Sequence, residues 1–191
     1  MSTAHHRRKR PELVRQQLLE VTARLSLENG LAAVTLDAVA QAAGVSKGGL
    51  LHHFPSKTAL LDGLFDDLTS KFDQAIDEEM RGDPVAHGRF TRAYLAAVFT
   101  LGGEGAEADP QAQGWRVLTI ALLAEPALRA RWRQWIADRA DAFVGTDSSS
   151  NCLLVRMAAD GLWLADLLQS HDIDEPGRKA LFESLKTLSF Q

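Results

Sequence analysis

Residues Leu36–Pro55 read LDAVAQAAGVSKGGLLHHFP, and this stretch decides the fold at the start of the chain. Leu36, Val39 and Ala40 recur at helical spacing and give a first short helix one apolar face. Ala40 stands where a second helix would cross, and only a small side chain lets two backbones approach there. Gly44 can adopt the positive φ that ends a helix sharply. Ser46 then suits an N-cap, because its hydroxyl can accept from an orphan amide of the next helix. Val45 and Leu50 turn inward to close a small core. Two short helices joined by a tight glycine turn are a helix-turn-helix, whose second helix can lie in the DNA major groove.

This register leaves Lys47, Gly48, Gly49, Leu51, His52 and His53 largely outward. Lys47 could donate to guanine O6 and N7, and Leu51 could meet a thymine methyl. His52 and His53 suit backbone contacts better. Gly48 and Gly49 run against helix propensity, each costing about 1 kcal/mol relative to Ala. Close approach of the helix backbone to DNA is one explanation; tolerance near a frayed helix start is the other.

The chain has 191 residues and a net charge of −4, with 46% hydrophobic and 24% charged residues. That is the make-up of a globular protein with one large or two small domains. Charge is unevenly placed: residues 1–57 carry +4 and the remainder −8. A basic end on an acidic body is expected where one end meets phosphate. Part of it is the run His5-His6-Arg7-Arg8-Lys9-Arg10, read as a solvated tail that can become an arm on the DNA backbone or minor groove. No apolar run approaches the roughly 20 residues needed to span a bilayer, and the basic start is not followed by an apolar signal core. A cytoplasmic location without membrane association is expected. The lone Cys152 excludes an intrachain disulfide and argues against a cysteine zinc site.

Nearly all of the chain reads as helix. Pro11 suits a first helical turn, and Val14, Leu18, Val21 and Leu25 continue that helix to a stop at Asn29-Gly30. Thr35 suits the N-cap of the second helix. After the Pro55-Ser56-Lys57 turn, a long helix runs from about Lys57 to Met80. Further helices are expected at about 85–101, 110–124, 126–144, 150–170 and 176–190. Gly102-Gly103-Glu104-Gly105, leading to Asp109-Pro110, is the most flexible-looking loop.

The segment VTLDAVAQAAGVSKGGLLHHFPSKTALL resembles the tetracycline-repressor (TetR) family of bacterial transcriptional regulators. The likeness spans about residues 12–62. It implies an all-α dimer of about nine helices. Residues 1–57 would form an arm and a three-helix helix-turn-helix DNA-binding domain, and residues 58–191 a larger helical domain for ligand binding and dimerisation. It implies phosphate contacts at Thr35, His53 and Lys57, with Lys47 the first base-facing residue of the recognition helix. Gly49 stands where members usually have a Thr hydroxyl, and Leu51 where they commonly have a Tyr.

The helix at about 151–169 carries Leu153, Leu154, Val155, Met157, Leu162, Trp163, Leu167 and Leu168 over nearly its whole circumference. A helix apolar all round is buried on every side. One face can pack on its own domain while the other meets a second copy, with Ala158, Gly161 and Ala165 allowing close approach. With Leu181 and Leu185 of the last helix, Leu154, Ala158, Gly161, Leu162 and Ala165 form the expected dimer interface, half of an intersubunit four-helix bundle. Arg156 and Asp160, four apart, can pair along the helix or anchor a ligand. The C-terminal part also holds Phe90, Tyr94, Phe99, Trp115, Trp132, Trp135, Phe143 and Trp163. Phe99, Trp115, Arg116, Leu122, Met157 and Trp163 are the expected ligand-lining residues. Trp132 and Trp135, among several arginines, are read as surface or interface residues.

These features point to a sequence-specific DNA-binding regulator that acts as a homodimer on a palindromic operator. A repressor released by a small-molecule effector is the first expectation. The alternative is a dimeric regulator without an effector, controlled by a protein partner or by abundance. No metal-ligand spacing, phosphate loop or nucleophile motif is present, so neither an enzyme nor a cofactor or metal is expected.

Overall fold

The computed structural model describes residues 3–102 and 108–191, with the backbone alone for residues 3–10. The described residues form ten α-helices and one 3-10 turn. They are α1 (Thr3–Asn29), the 3-10 turn (Leu31–Ala33), α2 (Leu36–Ala42), α3 (Lys47–His53), α4 (Lys57–Gly82), α5 (Arg89–Leu101), α6 (Pro110–Ala124), α7 (Pro126–Ala142), α8 (Val144–Asp147), α9 (Ser150–Leu168) and α10 (Glu175–Leu188). The count exceeds the expected nine because α8, a single turn, stands apart from α7. Among the described residues no helix is long and apolar enough to cross a membrane. Most of the glycine-rich loop, Gly103–Glu107, lies outside the described residues.

Helix α1 departs from the sequence expectation. It starts at Thr3 and carries Pro11 inside it, so the basic run continues the helix rather than preceding it. Pro11 removes one main-chain hydrogen bond, but Lys9 and Arg10 before it and Glu12 and Leu13 after it are good helix formers.

The chain divides into two compact units. The first holds residues 1–68 and 113–128, the second residues 69–112 and 129–191. In the first, Leu18, Leu19, Val34, Val39, Leu50 and Leu60 are almost completely buried and bring α1–α3 and the start of α4 around one core. Gly63 serves close packing within this unit, since a Cβ there would lie 2.5 Å from the Phe54 ring.

In the second unit, α5 is the central helix. Nine of its residues, among them Phe90, Thr91, Arg92 and Tyr94, are buried, and α8, α9 and α10 pack on it. Phe90 stacks on Phe143 with centroids 4.6 Å apart. Trp135 is buried, stacks on Trp132 at 4.9 Å, and donates its indole N–H to Asp73 at 3.2 Å. Trp135 is thus core rather than surface: its apolar ring is enclosed, and its one polar atom finds a carboxylate.

Candidate nucleic-acid interface and C-terminal unit

The helix-turn-helix is built by local hydrogen bonds. Thr35 is the N-cap of α2 and accepts from the Ala38 amide at 3.1 Å. At the other end Gly44 has φ +65°. Its amide donates to Gln41 O at 3.1 Å and that of Val45 to Ala40 O at 3.0 Å. These two bonds are a Schellman motif, which satisfies the last carbonyls of α2 and needs a residue that tolerates positive φ. Ser46 is the N-cap of α3, accepting from Gly49 N at 3.1 Å. From α1, Gln17 donates to Ala43 O at 3.0 Å and fixes the turn from behind. Leu50 is wholly buried, and that burial sets the rotation of α3.

With Leu50 inward, Ser46, Lys47, Gly48, Leu51 and His52 are exposed, while Gly49 and His53 are half-buried. The His52 and His53 rings meet edge to face at 5.4 Å. Two cations of this region already hold partners. Lys47 pairs with Asp37 at 3.0 Å, and Lys57 Nζ donates to Leu31 O at 2.6 Å. Lys57 therefore ties the start of α4 to the 3-10 turn before α2. Arg15 places its guanidinium 5.3 Å from the Phe54 ring centroid. Sequence reading found neither Asp37 nor Arg15. Their partners lie 10 and 39 positions away, and no periodicity relates them.

Two family models match the chain: the bacterial regulatory proteins of the tetR family over residues 18–64, and the tetracyclin repressor-like C-terminal domain over residues 88–190. The chain belongs to the TetR family. Among curated relatives, the HTH-type transcriptional repressor KstR2 of Rhodococcus jostii (strain RHA1) is 37% identical over 102 residues, covering 51% of this chain and 46% of that protein. The chain thus matches about half the length of that relative. Among solved structures, a transcriptional regulator from Rhodococcus sp. Rha1 superposes with a TM-score of 0.70 at 20% identity, covering 93% of this chain and 96% of that one. The multidrug binding protein EbrR complexed with malachite green gives 0.68 at 19% identity, covering 92% and 97%. At that identity the likeness is one of fold.

In this TetR-family chain the six residues expected to line a ligand site fall into both units. Trp115, Arg116 and Leu122 lie on α6 in the first; Phe99, Met157 and Trp163 lie in the second. Phe99 borders an open groove of about 500 Å³ together with Ala96, Arg178 and Phe182. Met157 is 58% exposed on α9.

Helix α9 sorts its apolar residues by face. Cys152, Val155, Ala159 and Leu162 are buried, whereas Leu153, Leu154, Met157, Leu164 and Leu168 are exposed. Of the expected dimer residues, Leu154 and Gly161 are exposed and Ala158, Ala165 and Leu181 half-buried. Leu162 and Leu185 are buried within the protomer, each less than a tenth exposed. Sequence periodicity could not separate these faces, because apolar residues lie around nearly the whole circumference of the helix.

Buried polar groups hold the second unit in register. Asp147 accepts from the Thr91 amide at 2.7 Å and so caps α5 from a distant part of the chain. Arg156 donates to Thr91 Oγ1 at 2.6 Å and to Asp147 O at 3.2 Å. Asp160 accepts from the Tyr94 hydroxyl. Arg156 and Asp160 thus each reach a partner outside α9. Burial pushes the Asp160 carboxyl above its ordinary range, against the pull of the Tyr94 hydrogen bond and the Arg156 charge. Burial, with the neighbouring carboxylate, pushes the Tyr94 phenol well up. Arg92, also buried, pairs with Asp83 at 2.6 Å and donates to His87 O and Val85 O. At Asp83 burial raises the pKa, but the Arg92 and Val85 hydrogen bonds and the charges of Arg92 and Arg89 outweigh it and leave the carboxyl below its ordinary range.

Proposed function

We propose that this chain is a transcriptional repressor that binds a two-fold operator as a homodimer and is released by a small molecule held in its C-terminal part. The observation that carries the reading is α3 itself. A Ser-capped helix, rotated by the burial of Leu50, leaves Lys47, Leu51 and His52 outward on a basic end of the chain. Thr35, His53 and Lys57 flank it as phosphate contacts, and residues 1–57 act as the DNA-binding part.

One α3 offers few base contacts, so a single copy binds weakly, and two copies on successive major grooves supply the affinity. The exposed apolar face of α9 supports the dimer. Leu154, Met157, Gly161, Leu164 and Leu168 recur at three- and four-residue intervals along one side. Such a stripe on an isolated protomer marks a protein contact. The repressor relative and the dye-bound multidrug protein of the same fold support repression and an organic effector. An effector must bind the released state more tightly than the DNA-bound one, or nothing shifts. Helix α4 runs unbroken from Lys57 to Gly82.

Selection of bound fragments from a random DNA pool tests the reading. A motif of two inverted half-sites, bound more weakly as salt rises, is the expected result. Absence of any enriched motif would sink it. Sedimentation of the Leu164→Glu variant as a monomer, against a dimeric parent, tests the α9 face.

A further inference from the structure

The base-facing cation of α3 does not stand alone. The Lys47 ammonium lies 3.0 Å from each carboxylate oxygen of Asp37, in the first turn of α2. Both side chains are more than half exposed, at 60% and 69%. A carboxylate therefore stands on the face offered to a polyanion, straddled by the one lysine placed to read a base. Exposed pairs of this kind contribute at most about 1 kcal/mol to stability. Phosphate attraction is weakened by placing a negative charge there. Reading of bases is what the arrangement can improve.

We infer, on the reading that α3 enters the major groove, that Asp37 is a specificity-determining residue. Lys47 has three N–H donors. With one kept on Asp37, two remain for the O6 and N7 acceptors of guanine. The second Asp37 oxygen can accept from a cytosine amino group; adenine N6 is a donor too, but only a G·C pair sets a donor beside the two adjacent acceptors of guanine. The Lys47–Asp37 pair thus presents donors and an acceptor side by side, matched to a G·C edge. On non-operator DNA the same carboxylate repels phosphate and keeps Lys47 from acting as a free cation. Asp37 lowers non-specific binding and raises discrimination together. The pair bridges α2 and α3, so its placement is fixed by the helix-turn-helix rather than by one flexible side chain.

The experiment compares the full chain with Asp37→Asn, Lys47→Ala and the double variant, on DNA selected by the parent and on a scrambled duplex. Asp37→Asn is expected to bind the scrambled duplex several-fold more tightly, with a log K against log salt slope steeper by about one. Its preference for selected over scrambled DNA is expected to fall roughly tenfold. Repeating the selection with Asp37→Asn should flatten one G·C position in each half-site, and in the Lys47→Ala background Asp37→Asn should flatten nothing further. Equal gains on both duplexes with an unchanged motif would overturn the proposal, leaving Asp37 a general negative charge. An unchanged motif with Lys47→Ala would overturn it too. Failure of the parent to select any motif is a different outcome, which removes the DNA-reading assignment and this inference with it.

Discussion

Charged side chains are used in opposite ways at the two ends of this TetR-family chain. Around α2 and α3, Lys47 and Asp37 are exposed. In the second unit Arg92, Asp147 and Arg178 are less than a tenth exposed, each tied to a partner remote in sequence. Exposed charges add little to folding, so around α2 and α3 they can be set by what they bind. Buried charges become costly once a partner is lost, so in the second unit they fix how helices align. The first region can exchange its charged side chains without unfolding; the second cannot change its polar network without cost.

The sharpest way to break that comparison is Arg92→Ala. It strands Asp83 and frees the His87 and Val85 carbonyls, and should lower unfolding stability by about 3 kcal/mol in urea titrations. Lys47→Ala should behave oppositely. Its stability should change by less than about 1 kcal/mol, while affinity for selected DNA falls by about 1–3 kcal/mol per half-site in anisotropy titrations. A large stability loss for Lys47→Ala would contradict the division.

Gly48→Ala sharpens the contrast within α3. A Cβ at Gly48 would meet nothing within 4 Å, so helix propensity alone should raise stability by about 0.5–1 kcal/mol. Unchanged DNA affinity would attribute Gly48 to tolerance at the helix start; weakened affinity would attribute it to close approach of the backbone. The smallest effect is a slope. The Asp160 pKa is raised by burial, so folding favours its protonated form. Its contribution is present in full below the unfolded carboxylate pKa and is lost as pH rises through the folded value. Asp160→Asn, which keeps an acceptor for Tyr94, should flatten that part of the stability–pH curve.

Legibility followed the range of the interactions. The helix-turn-helix could be read because its devices are local. Each cap bond reaches three residues, and the Schellman bonds reach three and five. The second unit was legible only as a set of helices. Asp147 reaches Thr91 across 56 positions and Arg92 reaches Ser189 across 97, and no spacing rule connects them. Pro11 was misread for a related reason. A proline favours a first turn, but a helix extended by Arg and Lys can carry it inside.

The sequence by itself therefore determined the helix-turn-helix, most of its outward residues and the family, because caps, glycine turns and short apolar spacing act between near neighbours. Tertiary structure alone decided which side of α9 is open. Leu162 went inward and Met157 outward on a helix with apolar residues around nearly its whole circumference. It also decided that Lys47 is partnered by Asp37, because that contact exists only once α2 and α3 have closed on Leu50.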